Sequence, residues 1–254
     1  MTTQGAFVWY ELMTTDMAAA KAFYGSVIGW TPQDSDMPDM AYTLFKVGDQ
    51  GVAGLMLLPD DAKARGVPPC WTGYVAVSDV DAETAAFAAD GGKALKGPMD
   101  IPGVGRMSVV ADPQGAVLCL FHGEGEAPPT PARGTPGYTG WHELMTSDLE
   151  AGFAFYANHF GWTKDQDMDM GPMGAYRIFA HEGVALGGMM KRDANTPVSY
   201  WRFVFNVAKI GEAADKIKAG GGQVVHGPME VPGGDWVAMA LDPQGAFFAV
   251  VGPQ

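Results

Sequence analysis

Hydrophobic and polar positions alternate over residues 7–14 (FVWYELMT), which predicts a strand with Trp9, Glu11 and Met13 on one face and Tyr10 and Leu12 on the other. Asp16 then stands where a helix N-cap belongs. Residues 17–28 (MAAAKAFYGSVI) carry a helical period, and Gly29 stops it. Short strands are predicted at 41–47 and 52–58. The order then restarts, with strand 71–77, cap Asp79, helix 80–89 ended by Gly91 and Gly92, and strands 93–96, 106–111 and 116–121. Asp112-Pro113-Gln114-Gly115 has the residues of a type I turn and makes a hairpin of the last two strands.

This whole pattern occurs twice. WYELMTTDMAAAKAFYGSVIGW at 9–30 returns as WHELMTSDLEAGFAFYANHFGW at 141–162, an offset of 132, while GPM (97–99, 227–229) and DPQGA (112–116, 242–246) return at an offset of 130. The second copy predicts strand 138–146, helix 149–160, strands 175–180, 184–190 and 201–207, helix 209–219, and strands 223–226, 235–240 and 246–251. Residues 123–137 (GEGEAPPTPARGTPG) have no hydrophobic period and read as a linker. Domains are therefore expected at 5–122 and 138–252, each made of two β-α-β-β-β modules, in the α+β class.

Composition narrows the partners. The chain of 254 residues has a net charge of −13, 47% hydrophobic and 18% charged residues, and no Lys/Arg run. Nothing here neutralises phosphates, so neither nucleic acid nor an anionic membrane is expected as a partner. No apolar stretch approaches the ~20 residues a spanning helix needs. The N-terminus lacks a basic region followed by an apolar run, so no signal peptide is expected. Cys70 and Cys119 have Tyr200 and Ala249 as counterparts in the second copy. A disulfide required by the fold would have been duplicated, so free thiols and a cytoplasmic location are expected.

A strand, a capping Asp, a helix carrying Phe-Tyr, a Gly-aromatic pair and a closing Asp-Pro-x-Gly, all present twice, resemble the vicinal-oxygen-chelate superfamily of glyoxalase I, bleomycin- and fosfomycin-resistance proteins and extradiol dioxygenases. The resemblance covers both halves and implies paired modules folded into a U-shaped mixed sheet around a cavity. It also implies where metal ligands would sit: seven residues before the Asp that caps the first helix, at the matching place in the second module, and seven after the Asp of the turn. Those positions hold Trp9 and Trp141, Thr72 and Arg202, and Cys119 and Ala249. None is His, Glu or Gln. The resemblance therefore implies family cavities without the family's metal ligands, and no cofactor is expected.

On that footing Glu11 and Glu143 point inward. Each is a candidate general base or an anchor for a cationic or hydroxylated ligand, and equally a structural carboxylate. A Glu143–Arg202 pair is expected in the second half, and Arg106 is the nearest candidate partner for Glu11 in the first. Trp9, Met13, Thr72, Arg106, Cys119, Trp141, Met145 and Arg202 form the candidate ligand-binding set. The 16 methionines suggest a pliable apolar lining or ordinary core filling. The five histidines are not duplicated, and His142 faces away from Glu143. Phe23–Tyr24 and Phe155–Tyr156 read as core with a polar rim. Segments 97–105 and 227–234 read as loops, either closing over an opening or simply connecting. The leading expectation is metal-free binding of a small molecule by a monomer or homodimer. The alternatives are a glyoxalase- or dioxygenase-type enzyme with a metal at Glu11 or Glu143, or a metal-free enzyme using them as bases.

Overall fold

The computed structural model describes residues 4–35, 41–125 and 131–254. Of the expected linker 123–137, residues 126–130 lie outside this set. The first half contains β1 (Phe7–Thr14), α1 (Met17–Val27), β2 (Thr31–Ser35), β3 (Tyr42–Val47), β4 (Gln50–Leu57), a short α2 (Asp60–Ala64), β5 (Cys70–Ala76), α3 (Val80–Ala89), β6 (Lys93–Ile101), β7 (Gly105–Ala111) and β8 (Val117–Gly123). The second contains β9 (Thr139–Thr146), α4 (Leu149–Phe160), β10 (Thr163–Asp169), a 3₁₀ turn at Gly171–Met173, β11 (Ala175–His181), β12 (Val184–Lys191), β13 (Tyr200–Asn206), α5 (Ile210–Ala219), β14 (Gln223–Glu230), β15 (Trp236–Leu241) and β16 (Phe247–Gly252). Two eight-stranded sheets result, ordered β2-β3-β4-β1-β5-β8-β7-β6 and β10-β11-β12-β9-β13-β16-β15-β14. The repeat in sequence is thus a repeat in topology, and the class is α+β.

Local chemistry sets the helix starts. Asp16, Asp79 and Asp148 have extended backbones, and each side chain accepts the N–H three residues on, at 2.9–3.0 Å. At α5 the corresponding residue is Lys209, which makes no such bond. No helix among the described residues is long and apolar enough to cross a membrane.

Four segments depart from the expectation. β2 (TPQDS) and β10 (TKDQDMD) have no apolar alternation because both are exposed outer strands. Their backbones still pair with β3 and β11. The segments at 97–105 and 227–234 are not free loops over an opening. Residues 97–101 continue β6, with Met99 opposite Met107 and Asp100 opposite Arg106, and residues 227–230 continue β14 against β15. Pro98 and Pro228 bring no N–H to these ladders, and the register shifts around them absorb the gap.

Compactness does not follow the two halves. One unit gathers described residues 4–8, 73–125 and 141–201, and the other 9–35, 41–72, 131–140 and 202–254. Each thus joins the first module of one half to the second module of the other, and repeated motifs tie each together. In the second unit Tyr24 Oη donates to Asp242 Oδ2 (3.0 Å) and accepts from Trp71 Nε1 (2.9 Å). In the first, Tyr156 Oη donates to Asp112 Oδ2 (3.0 Å) and accepts from Trp201 Nε1 (3.1 Å). The other oxygen of each Asp holds its own turn, accepting from Gln114 and Ala116 or from Gln244 and Ala246. Burial raises both carboxyl pKa values, against these donors. The Phe-Tyr and Asp-Pro-Gln-Gly motifs are therefore parts of one buried polar link, made twice.

Tryptophans pack beside it. Trp30 Nε1 donates to Gly137 O (2.7 Å) in the second unit, and Trp162 Nε1 donates to Gly5 O (2.8 Å) in the first. Gly5 and Gly137 both have positive φ (88° and 86°), and a Cβ on Gly5 would overlap Phe160 O, so glycine is required there. Around them lie Tyr24, Phe45, Trp71 and Phe205 in one unit and Tyr156, Phe160, Phe179 and Trp201 in the other. The first unit adds a polar cluster around buried His159, whose Nδ1 lies 2.7 Å from half-buried Glu83 and whose Nε2 lies 3.3 Å from exposed Asp90. In the second unit the corresponding residues are Val27, Ala213 and Gly220.

His142 lies on the face of β9 turned from Glu143. Its ring stacks on Phe7 at 4.0 Å, and Nδ1 contacts Leu186 O at 2.7 Å. Burial lowers its pKa from 6.5 to about 4. The unfolded chain takes up a proton below pH 6.5 that the folded chain refuses, so stability is full above that pH and declines as pH falls towards 4. The loss at the acid end is about 3 kcal/mol. Denaturant unfolding of wild type and His142→Phe from pH 7 to 4 should show this slope in wild type only, and parallel curves would refute it.

Candidate functional site

The alternation of β1 and β9 puts Trp9 and Glu11, and Trp141 and Glu143, on one face of each strand. What they meet comes from the neighbouring strands. In the second unit β1 runs parallel to β4 with Glu11 opposite Gly54 and Met13 opposite Met56, while Tyr42 of β3 is also opposite Met56. Tyr42 is therefore a diagonal neighbour of Gly54, and its ring leans over that residue. There its hydroxyl accepts from Trp9 Nε1 at 3.1 Å and is hydrogen-bonded to Glu11. A Cβ on Gly54 would overlap that hydroxyl.

The first unit repeats the arrangement. β9 runs parallel to β12 with Glu143 opposite Gly188 and Met145 opposite Met190, and Tyr176 of β11 is opposite Met190. Trp141 Nε1 donates to Tyr176 Oη at 2.7 Å, which donates to Glu143 Oε1 at 2.9 Å. A Cβ on Gly188 would overlap the Tyr176 ring. Each unit thus holds one chain of contacts, indole to phenol to carboxylate.

Accessibility separates these clusters from the core. Trp9, Tyr42, Trp141, Tyr176 and Glu143 are half-buried, whereas Glu11 is 7% exposed. Tyr42 stays neutral, because burial and the adjacent Glu11 carboxylate both raise its pKa well above the ordinary phenol value. Met13 is half-buried and Met145 buried.

Of the remaining candidates three are buried and one is not. Thr72 is buried and hydrogen-bonded to Cys70, whose thiol burial pushes up to about 11. Cys119 is buried in β8 opposite Val109, and neither cysteine forms a disulfide among the described residues. Arg202 is buried, its guanidinium 5.3 Å from the Phe247 ring centroid and Nη1 3.1 Å from Met239 Sδ. Arg106 is not a buried lining residue. Its guanidinium takes both oxygens of Asp81, at 2.6 and 2.9 Å, and Asp100 at 2.7 Å, on partly exposed ground. The physical reason is the ladder itself, which sets Arg106 opposite Asp100.

Tyr42, Tyr176, Gly54 and Gly188 are absent from the candidates drawn from sequence. A signal for them exists: AYTLF at 41–45 returns as AYRIF at 175–179, and Gly54-x-Met56 as Gly188-x-Met190, both at an offset of 134.

Two tandem copies of this mixed-sheet fold, with the paired Trp-x-Glu strands, define a glyoxalase-like protein. The chain belongs to the Glyoxalase/Bleomycin resistance protein/Dioxygenase superfamily, whose family model matches residues 6–120 and 138–250. It is 34% identical over 252 residues to a putative glyoxylase, CFP32, of Mycobacterium tuberculosis, covering 98% of this chain and 95% of that protein. It is 32% identical over 260 residues to the anthracycline biosynthesis protein DnrV of Streptomyces peucetius, covering 97% and 93%. Among solved structures its fold is similar to the Mn(II)-bound glyoxalase of Novosphingobium aromaticivorans, with a TM-score of 0.67, 17% identity and coverage of 99% of this chain and 83% of that one.

That neighbour's manganese raises the question of fit. At the ligand positions implied by the family pattern, the indoles of Trp9 and Trp141 present N–H donors that are already given to phenols. Arg202 is a cation and Ala249 has no donor atom. No group of three or more His, Cys, Asp or Glu among the described residues is placed to hold a metal ion. The donor set does not fit the group.

Proposed function

We propose that this protein binds a small molecule without a metal ion, and that each Trp–Tyr–Glu cluster receives part of it. The observation that carries this reading is the side chain standing where the superfamily's metal enzymes keep an imidazole. It is an indole in both halves, and its one N–H is committed to a phenol. Half-buried indole and phenol faces suit a flat apolar ligand, and the carboxylate adds a polar anchor. The similarity to a protein named for anthracycline biosynthesis supports an aromatic ligand.

A second reading is metal-independent turnover with Glu11 and Glu143 as general bases. It draws support from the phenol–carboxylate contact and from the relative named as a putative glyoxylase. Such turnover would survive a chelator and fail in Glu11→Gln or Glu143→Gln.

Elemental analysis of freshly purified full chain tests the metal-free part of both readings. The expected divalent-metal content is far below one ion per chain. One ion per repeat, retained through gel filtration, would overturn it.

A further inference from the structure

The second repeat departs from the first where β12 ends. In both repeats the residue after the strand gives its backbone N–H to a threonine carbonyl, Leu58 to Thr14 and Arg192 to Thr146, each at 2.8 Å. Leu58 is buried, and helix α2 follows it. Arg192 stands at the same place half-buried, and no helix follows before β13. Its guanidinium instead pins the connecting loop, with Nη1 donating to Thr196 O and, at 3.5 Å, to Asp193 O. Beside it lies a cavity of about 320 Å³ lined by Ser147, Lys191, Arg192 and Ala194, all in the first unit. Lys191 is opposite Thr146, so it lies on the face of the sheet turned away from Glu143 and Met145.

Two other arginines of this chain show how such a guanidinium is satisfied. Arg106 grips Asp81, and Arg177 grips Asp167, through Nε and Nη2 together. This is the bidentate mode that suits carboxylate and phosphate. On Arg192 the same edge is unused. Its Nε is buried without an acceptor, and Nη2 has none among the described residues. Lys191 is exposed and, like Arg192, forms no ion pair among the described residues. The acids nearest in sequence are already engaged. Asp148 Oδ1 accepts from Ala151 N at 3.0 Å, Asp193 Oδ1 accepts from Asn195 N at 2.7 Å, and Glu150 is held by Arg177.

We infer that this cavity is an oxyanion site, taking the phosphate group of a small molecule on Arg192 and Lys191 with the Ser147 hydroxyl as a further donor. Two cations suit a dianion better than the single charge of a carboxylate, and they are too few for the backbone of a nucleic acid. The chain's net charge of −13 opposes anions in general, so the local pair carries the recognition. The first repeat has Thr15, Leu57 and Leu58 at the corresponding positions, so one site per chain is expected. It is independent of the role proposed for the Trp–Tyr–Glu clusters.

The test is isothermal titration of the full chain with inorganic phosphate at fixed ionic strength, with acetate as the singly charged comparison. One phosphate per chain is expected, bound about tenfold more tightly than acetate. Lys191→Gln should weaken phosphate binding about tenfold and leave acetate less affected. Arg192→Leu, which installs the side chain that the first repeat buries at Leu58, should abolish it. The Lys191 side chain makes no hydrogen bond or ion pair among the described residues, so its variant tests the site even where Arg192→Leu disturbs the loop. Phosphate bound no better than acetate, bound equally well by wild type and Lys191→Gln, or not bound at about 10 mM would overturn the inference.

Discussion

Replacing Tyr156 by Phe should cost the fold at least about 3 kcal/mol, a large share of the roughly 5–15 kcal/mol that holds a typical domain together. The ring stays, so packing changes little. What goes is one oxygen with two buried partners. Asp112 Oδ2 loses its donor at 3.0 Å, and Trp201 Nε1 loses its acceptor at 3.1 Å. Asp112 is 3% exposed and Trp201 6% exposed, so water does not replace the missing oxygen without rearrangement. Each orphaned group costs about 1–3 kcal/mol, the carboxylate towards the upper end. Tyr24→Phe strands Asp242 and Trp71 in the same way, and the duplication predicts a similar loss. Urea unfolding followed by circular dichroism measures both. A loss under 1 kcal/mol in either variant would mean the link is not the tie between modules described above.

The second large effect falls on binding and not on folding. In Gly54→Ala or Gly188→Ala the new methyl group occupies the space of the tyrosine hydroxyl or ring. The obstructing atoms lie at the far end of a half-buried side chain, so the tyrosine swings out and the sheet survives. Neither glycine has a positive φ, so the backbone accepts alanine. The indole then loses its acceptor and the carboxylate its phenol. We expect the unfolding midpoint to move little and ligand affinity to fall about tenfold or more, equivalent to about 1.4 kcal/mol. Isothermal titration of each variant and of the Gly54→Ala, Gly188→Ala double variant reads this directly. Full affinity in the double variant would show that the tyrosines take no part.

Most of the fold was legible because its elements carry strong local signals. The Asp caps, the Asp-Pro-Gln-Gly turns and the alternation in β1 and β9 are short-range features, and they stand where the spacing puts them. β2 and β10 were not legible, since an exposed outer strand needs no apolar face. Residues 97–101 and 227–230 read as loops because Gly-Pro punctuates them, whereas the ladder simply bulges around the proline. The candidate site divides along a similar line. Trp9, Glu11, Trp141 and Glu143 were visible because each pair shares one strand. Tyr42 and Tyr176 reach the carboxylates diagonally across a glycine, a relation fixed by the register of three strands and absent from any local window. Arg106 was misjudged for the opposite reason. Its neighbours Asp81 and Asp100 were present in the sequence all along, but only the β6–β7 pairing and the approach of α3 bring them to it.

We propose that the indole–phenol–carboxylate clusters take up a small molecule without a metal ion. The most direct test is the titration of tryptophan fluorescence with a flat aromatic probe such as catechol, before and after exhaustive chelation. The account predicts one saturable quenching curve, unchanged by the chelator and by added Mn(II). Quenching that disappears on chelation and returns with Mn(II) would contradict it.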